Sequence, residues 1–192
     1  MKPSSRLATT LASMPRDTRD TLFLLGVIAW IVLPLTGHLP PWATAICLAL
    51  LAWRGQLAWR GRPLPGRWVI GLLLTLVLGA TLLTHRTILG RDAGVTLIVM
   101  LLGLKTLELH GRRDAMVVFF LGFFTLLSNF FFSQALPVAA AMLLALLGLL
   151  AALVNAHMPV GRPPLAQSLR MAGRMALLGA PIMAALFMLF PR

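Results

Sequence analysis

The residues whose types and spacing could carry chemistry lie in one short charged segment, 105–114. Lys105, Glu108 and Arg112 are separated by three and four positions, so on one continuous helix their side chains would share a face. Charged groups beside a bilayer are rare and costly, and such a face could serve as an ion relay or a cytoplasmic docking point. The alternative, which we favour, is structural: Lys105 reaches toward the membrane interface and pairs with Glu108.

The neighbouring charged residues are predicted to fix helix ends and topology. Asp92 and Asp114 each stand before an apolar run, where a carboxylate caps the free N–H groups of a helix and complements its dipole. Arg112 and Arg113 supply positive charge to a cytoplasmic loop, and Arg91 lies beside Asp92 on the other side of the membrane. No residue is predicted to be catalytic, to bind a cofactor or to ligate a metal.

The other reactive side chains are isolated from one another. Cys47 is the only cysteine, which excludes an internal disulfide and a multi-cysteine metal site. No activating histidine is near it in sequence, so we expect a buried, inert residue. The histidines are predicted to lie on both sides of the membrane, which argues against a shared metal site. They are His38, His85, His110 and His157.

Polar and aromatic residues of the apolar segments have simpler explanations than a ligand site. The phenylalanines of 119–132 could form a lipid or quinone site, but helix packing and lipid contact explain them with fewer assumptions. Asn129 and Gln134 are expected to bond a neighbouring helix or to face the outer interface. Three tryptophans, Trp53, Trp59 and Trp68, are predicted to form an inner interfacial belt.

Composition indicates the class of protein that must position these residues. Hydrophobic residues make up 59% of the chain and charged residues only 11%, and the mean hydropathy is +0.89. A soluble domain of 192 residues could not cover so much apolar surface. The net charge of +12 sits in short loops between apolar runs, without the continuous basic face that nucleic-acid binding needs. The chain is therefore predicted to be an integral membrane protein that binds no nucleic acid.

The fold class is predicted to be all-α, a polytopic bundle of about seven membrane-spanning helices. Each apolar run is bounded by charge, proline or glycine, and most approach the length that crosses a bilayer. The spans are predicted near 20–37, 41–55, 67–84, 93–109, 114–132, 136–156 and 173–190. The second run is short, and we expect it to continue through Arg54 toward Trp59.

The distribution of positive charge predicts a topology. With a basic cytoplasmic tail over 1–19 and a membrane domain over 20–192, fourteen of the 17 basic residues fall on the cytoplasmic side. They are Lys2, Arg6, Arg16, Arg19, Arg54, Arg60, Arg62, Arg67, Lys105, Arg112, Arg113, Arg162, Arg170 and Arg174. Only Arg86, Arg91 and Arg192 fall outside. This bias predicts a cytoplasmic N-terminus and an extracytoplasmic C-terminus.

Residues 90–134 also resemble a known family. The segments that carry the resemblance are Gly90-Arg91-Asp92-Ala93-Gly94, Leu104-Lys105-Thr106-Leu107-Glu108-Leu109, Arg113-Asp114, Leu121-Gly122-Phe123-Phe124 and Phe132-Ser133-Gln134. Their order and spacing are similar to the N-terminal membrane domain of TgpA-type bacterial transglutaminases, the protein-glutamine gamma-glutamyltransferase-like membrane proteins. The layout of apolar runs resembles that family across nearly the whole chain.

The resemblance implies a location in the bacterial inner membrane and an extracytoplasmic transglutaminase-like domain after the helices. In that family a Cys-His-Asp triad attacks a glutamine carboxamide. We expect this chain, which ends at Arg192, to stop before that domain, and Cys47 matches no part of its catalytic motif. The expected function is thus membrane anchoring, with the lipid bilayer and the downstream domain as partners. Two alternatives are a small transporter or channel, and a scaffold that binds another membrane protein.

Overall fold

The computed structural model describes residues 16–86, 90–157 and 165–189. Within these ranges the chain forms helices and turns and no strand. The helices are α1 (Arg16–Val32), α2 (Pro41–Arg60), α3 (Arg67–His85), α4 (Arg91–Leu107), α5 (Arg112–Ser128), α6 (Leu136–His157) and α7 (Leu165–Leu189). Short 3₁₀ turns follow α1 at Leu33–Gly37 and α5 at Asn129–Phe131. The tail before residue 16, Arg162 and the last three residues, which include Arg192, lie outside the described part.

Local sequence explains most of the helix ends. Pro34 follows α1, and the chain tightens there into a 3₁₀ turn because proline offers no N–H to continue an α-helix. Pro41 occupies the first turn of α2, where the missing N–H is not needed. Gly61 ends α2 in the left-handed conformation at φ 60°, which glycine adopts without steric cost.

The predicted spans are close to the observed helices, with one clear exception. The predicted continuation of the second span toward Trp59 is confirmed, since α2 reaches Arg60. The exception is the last helix: α7 begins at Leu165, well before the predicted apolar span near 173–190. Its first turns carry polar residues that suggested a loop. One of them, Ser168, is fully buried against α6 and so belongs to the helix packing.

Hydrogen bonds between neighbouring helices define two ends of the bundle. At one end, Thr18 of α1 donates to the carbonyl of Ala58 in α2. At the other, the indole of Trp42 at the start of α2 donates to Thr84 near the end of α3. We call the first the basic end, because the described residues in and beside its turns include Arg60, Arg62 and Lys105.

Helix packing relies on glycine where helices approach closely, as two examples show. A Cβ added at Gly103 of α4 would lie 3.3 Å from Leu50 Cδ1 of α2. A Cβ at Gly148 of α6 would lie 2.8 Å from Val27 Cγ2 of α1. Small residues of this kind let helix backbones approach closely where no hydrophobic effect drives them together. The two hydrophobic clusters of the bundle form around these contacts.

The outside of the bundle is strongly apolar. Large side chains such as Leu83 and Leu136 are 84% and 86% exposed, far more than a protein surrounded by water tolerates over wide areas. Within the described ranges, four helical segments are long and apolar enough to cross a membrane: Thr18–Gly37, Arg67–His85, Arg113–Phe131 and Leu136–Ala156. These are properties of a membrane protein.

Candidate functional site

The charged turn between α4 and α5 is organised by one lysine. The ammonium of Lys105 lies 2.6 Å from Glu108 Oε2 and 3.4 Å from Asp114 Oδ1. The predicted pairing of Lys105 with Glu108 is confirmed, and Asp114 is a second partner. Because one cation contacts a carboxylate on each side of the turn, the cluster ties the end of α4 to the start of α5.

The shared helical face of Lys105, Glu108 and Arg112 was predicted on the condition that the helix continues. It does not: α4 ends at Leu107, and Arg112 is the first residue of α5. The side chain of Arg112 lies outside the described residues. The turn that separates the two helices removes the basis for an ion relay along one helix face.

The two aspartates do not cap their helices in the predicted way. Gly90 and Gly111 occupy the capping positions, and neither α4 nor α5 has a side-chain cap bond there. Asp114 instead lies in the first turn of α5 and accepts the backbone N–H of His110, the residue before the capping position, at 3.2 Å. Asp92 lies in the first turn of α4 and accepts from Arg91 at 3.2 Å. Both carboxylates still complement a helix dipole.

A buried arginine is the main feature that the sequence did not reveal. Arg54 of α2 was counted among the basic residues of the cytoplasmic side, and it is only 8% exposed. Its Nε donates to the carbonyl oxygen of Thr106 at 3.0 Å. That carbonyl belongs to the last turn of α4, where a positive charge is favourable. Arg54 therefore fixes the end of α4 from a neighbouring helix.

A second buried polar group joins α1, α6 and α7. Ser168 donates to Asn155 Oδ1 in a short hydrogen bond, and Asn155 Nδ2 donates to Asp20 Oδ1 at 3.5 Å. Asn155 is 3% exposed and Ser168 is fully buried. Asn155 and Asp20 are 135 positions apart in sequence, so local spacing could not predict their contact.

These groups surround a pocket of about 340 Å³ at the basic end. Asp20 and Leu24 of α1, Arg54 of α2, and Asn155 of α6 form its walls. His110 also lines the pocket. It belongs to the charged turn, which Lys105 and Asp114 hold in place. The pocket is therefore the place where the charged turn and the buried polar side chains meet.

The remaining predicted residues lie apart from this pocket. Cys47 is buried, and its sulfur lies 3.8 Å from the carbonyl oxygen of Val99. Among the described residues no group of three His, Cys, Asp or Glu side chains is placed to hold a metal ion. Asn129 donates to the carbonyl oxygen of Ile31 at 3.2 Å, which confirms its predicted bond to a neighbouring helix. Gln134 is exposed.

The aromatic residues divide between packing and exposure. Phe119 and Phe123 pack against the second hydrophobic cluster, whereas Phe120 and Phe124 are more than half exposed. At the end opposite the basic end, the ring of Phe132 stacks on His38 with centroids 4.7 Å apart. The guanidinium of Arg91 lies 4.9 Å from the centroid of the same phenylalanine ring. These contacts connect loops.

Comparison with known proteins identifies relatives for almost the whole chain. The family model described as the TgpA N-terminal domain matches residues 23–192. A protein-glutamine gamma-glutamyltransferase of Pseudomonas aeruginosa is 35% identical over 172 residues, which cover 89% of this chain. The aligned part is only 26% of that relative's length. No solved structure matches the chain.

Proposed function

The chain belongs to the TgpA N-terminal domain family, and from this premise we propose that it anchors a transglutaminase-like domain at the outer face of a bacterial inner membrane. The observation that carries the proposal is the extent of the match. The family model covers residues 23–192, but the Pseudomonas aeruginosa relative devotes only 26% of its length to the aligned part. The transferase chemistry in that relative's name then belongs to a domain of the same polypeptide outside the membrane helices.

The chemistry of the described residues supports anchoring over catalysis. A cysteine nucleophile needs an adjacent base, usually a histidine, and access to its substrate. Cys47 is buried between helices, and its described hydrogen-bond partner is a backbone carbonyl. The charged turn consists of ion pairs that hold two helices together. These residues serve the stability of the helical domain.

The orientation in the membrane follows from the positive-inside rule. The basic end carries most of the described arginines, whereas the opposite end carries Arg86 and Arg91. Loops rich in Lys and Arg remain in the cytoplasm. We propose that all seven helices cross the membrane, with the basic end inside and the end of α7 outside. The proposed exit of α7 would deliver a following domain to the outer face.

The transporter alternative loses its main support. It required a charged pair deep within a span, but Glu108 lies in the turn after α4 and Lys105 in that helix's last turn. If the protein is an anchor, replacing both residues lowers its expression or assembly. If the protein were a transporter, the same replacement would instead abolish substrate flux.

Reporter fusions test the proposed orientation. Alkaline phosphatase, which is active only outside the cytoplasm, is fused after Arg192 and, separately, inserted at Arg62 between α2 and α3. We expect activity from the first fusion and none from the second. A fluorescent protein that folds only in the cytoplasm, placed at the same two positions, serves as the matched control and is expected to give the inverse result. Phosphatase activity at Arg62 together with fluorescence after Arg192 would refute the proposal.

A further inference from the structure

The pocket at the basic end has an unusual charge distribution for the interior of a helical bundle. Arg54 and Asp20 line the pocket from two neighbouring helices, α2 and α1. Among the described residues they form no ion pair with each other; Asp20 pairs with Arg19 through Oδ1, and Arg54 has no carboxylate partner. A cation and an anion thus face the same cavity without neutralising one another by direct contact. Buried charges are costly unless they are paired. The arrangement therefore suits an occupant whose anionic group reaches Arg54 and whose donor group reaches the second oxygen of Asp20.

Arg54 offers the cationic wall. Only its Nε is engaged by a described residue, the carbonyl oxygen of Thr106. The guanidinium has further N–H donors in a planar fork, a geometry that matches phosphate and carboxylate oxygens. With 8% of the residue exposed, an anion that reached it would be largely shielded from water. The interaction would then be stronger than one at an open surface.

Asp20 offers the anionic wall. Its two described partners, Arg19 Nη2 at 3.4 Å and Asn155 Nδ2 at 3.5 Å, both contact Oδ1. The other oxygen, Oδ2, accepts no hydrogen bond from a described residue. Asn155 is itself held by Ser168, so the position of the carboxylate is fixed by α6 and α7. A free acceptor oxygen in a fixed position suits an ammonium group.

We propose that this pocket binds a phosphoethanolamine group, with the phosphate on Arg54 and the ammonium on Asp20 Oδ2. The volume of about 340 Å³ lies at the small end of ligand pockets and fits a polar headgroup better than a whole lipid. The same chemistry occurs on a membrane lipid and on the soluble phosphomonoester. Basic pockets between membrane helices are known to bind the phosphate-bearing headgroups of lipids. This inference goes beyond anchoring and does not depend on which side of the membrane the pocket faces.

The test measures binding to the purified 192-residue protein in detergent micelles by isothermal titration. The probes are short-chain phosphatidylethanolamine, short-chain phosphatidic acid, soluble O-phosphoethanolamine and inorganic phosphate. R54Q is expected to weaken binding of phosphatidylethanolamine by about tenfold or more, because a charge-assisted hydrogen bond is lost. D20N is expected to remove the preference for phosphatidylethanolamine over phosphatidic acid. R60Q, at the exposed end of the same helix, is the matched control and should bind like the wild type.

The outcomes separate the two sources of the ligand and can overturn the proposal. Binding of the lipid but not of O-phosphoethanolamine assigns the site to a membrane lipid; comparable binding of both assigns it to the soluble compound. Equal binding of inorganic phosphate and O-phosphoethanolamine overturns the ammonium contact, and an equal loss in R54Q and R60Q overturns the site. If R54Q does not fold by circular dichroism, R54K and D20N decide, and wild-type affinity in both refutes the proposal.

Discussion

Lys105 is the residue on which the turn between α4 and α5 most depends, because one ammonium contacts two carboxylates. Its side chain is 24% exposed, and those of Glu108 and Asp114 are 37% and 29% exposed. Such partly exposed pairs are screened by water and salt, so each contributes modestly. The value of the cluster lies in joining two helix ends that the backbone connects only through a short turn.

We expect K105Q to lower the free energy of unfolding by about 0.5–1 kcal/mol at low salt. The loss arises because Glu108 and Asp114 then face one another without a cation between them. Unfolding in mixed micelles, followed by circular dichroism, measures the change. R60Q is the control, since Arg60 is exposed and is in no ion pair among the described residues, so its loss is expected to cost almost nothing. A K105Q effect no larger than that of R60Q would contradict the role assigned to Lys105.

Ser168 carries a second prediction at the scale of single residues. Its hydroxyl is the described donor to Asn155 Oδ1, and S168A would leave that buried oxygen without this partner. We expect a loss of about 1 kcal/mol in the free energy of unfolding, in the range of hydrogen bonds between membrane helices. S128A removes a hydroxyl whose bond to the Phe124 carbonyl stays within one helix, and should cost less. Equal costs for the two variants would contradict the proposed link between α6 and α7.

At the scale of the elements, the sequence predicts the helices better than their contacts. Apolar runs indicate where helices exist because a bilayer demands long apolar segments. The start of α7 was missed because Ser168 and Arg170 are typical of a loop, and only its contact with Asn155 explains why Ser168 is buried. Similarly, the pairing of Lys105 with Glu108 follows from a spacing of three positions, whereas Arg54 and Thr106 are 52 positions apart. Local spacing predicts local pairs; the polar pocket needs the packed bundle.

The close contact of α1 and α6 gives a prediction at this scale. G148A would place a Cβ 2.8 Å from Val27 Cγ2, and valine has few rotamers with which to move away. We expect the helices to separate slightly, at a cost of about 1–3 kcal/mol in the free energy of unfolding. G71A in α3 is the control: a Cβ there meets nothing within 4 Å, so we expect equal or slightly greater stability. A G148A protein as stable as G71A would show that the contact is not tight.

At the scale of the whole molecule, the distribution of charge and the apolar surface both fit a helical bundle that lies in a membrane. The basic end gathers residues from α1, α2, α4 and α6, which lie far apart in sequence. The flanks between the two ends are covered by exposed leucine, methionine and phenylalanine side chains. A membrane would explain both features together: in the proposed orientation, hydrocarbon surrounds the flanks and anionic lipid surfaces attract the basic end.

The depth of individual tryptophans tests this arrangement. Trp68 lies at the start of α3, at the basic end, and is 93% exposed; we expect it in the interfacial belt, at the level of the headgroups. Trp30 lies about 20 Å along α1 from Arg16, and its indole donates to the carbonyl of Ala141 within the bundle. In single-tryptophan variants reconstituted in bilayers, lipids brominated near the headgroup should quench Trp68 most. Lipids brominated deeper in the acyl chain should quench Trp30 most. The reverse order would place the basic end away from the interface and contradict the proposed orientation of the helices.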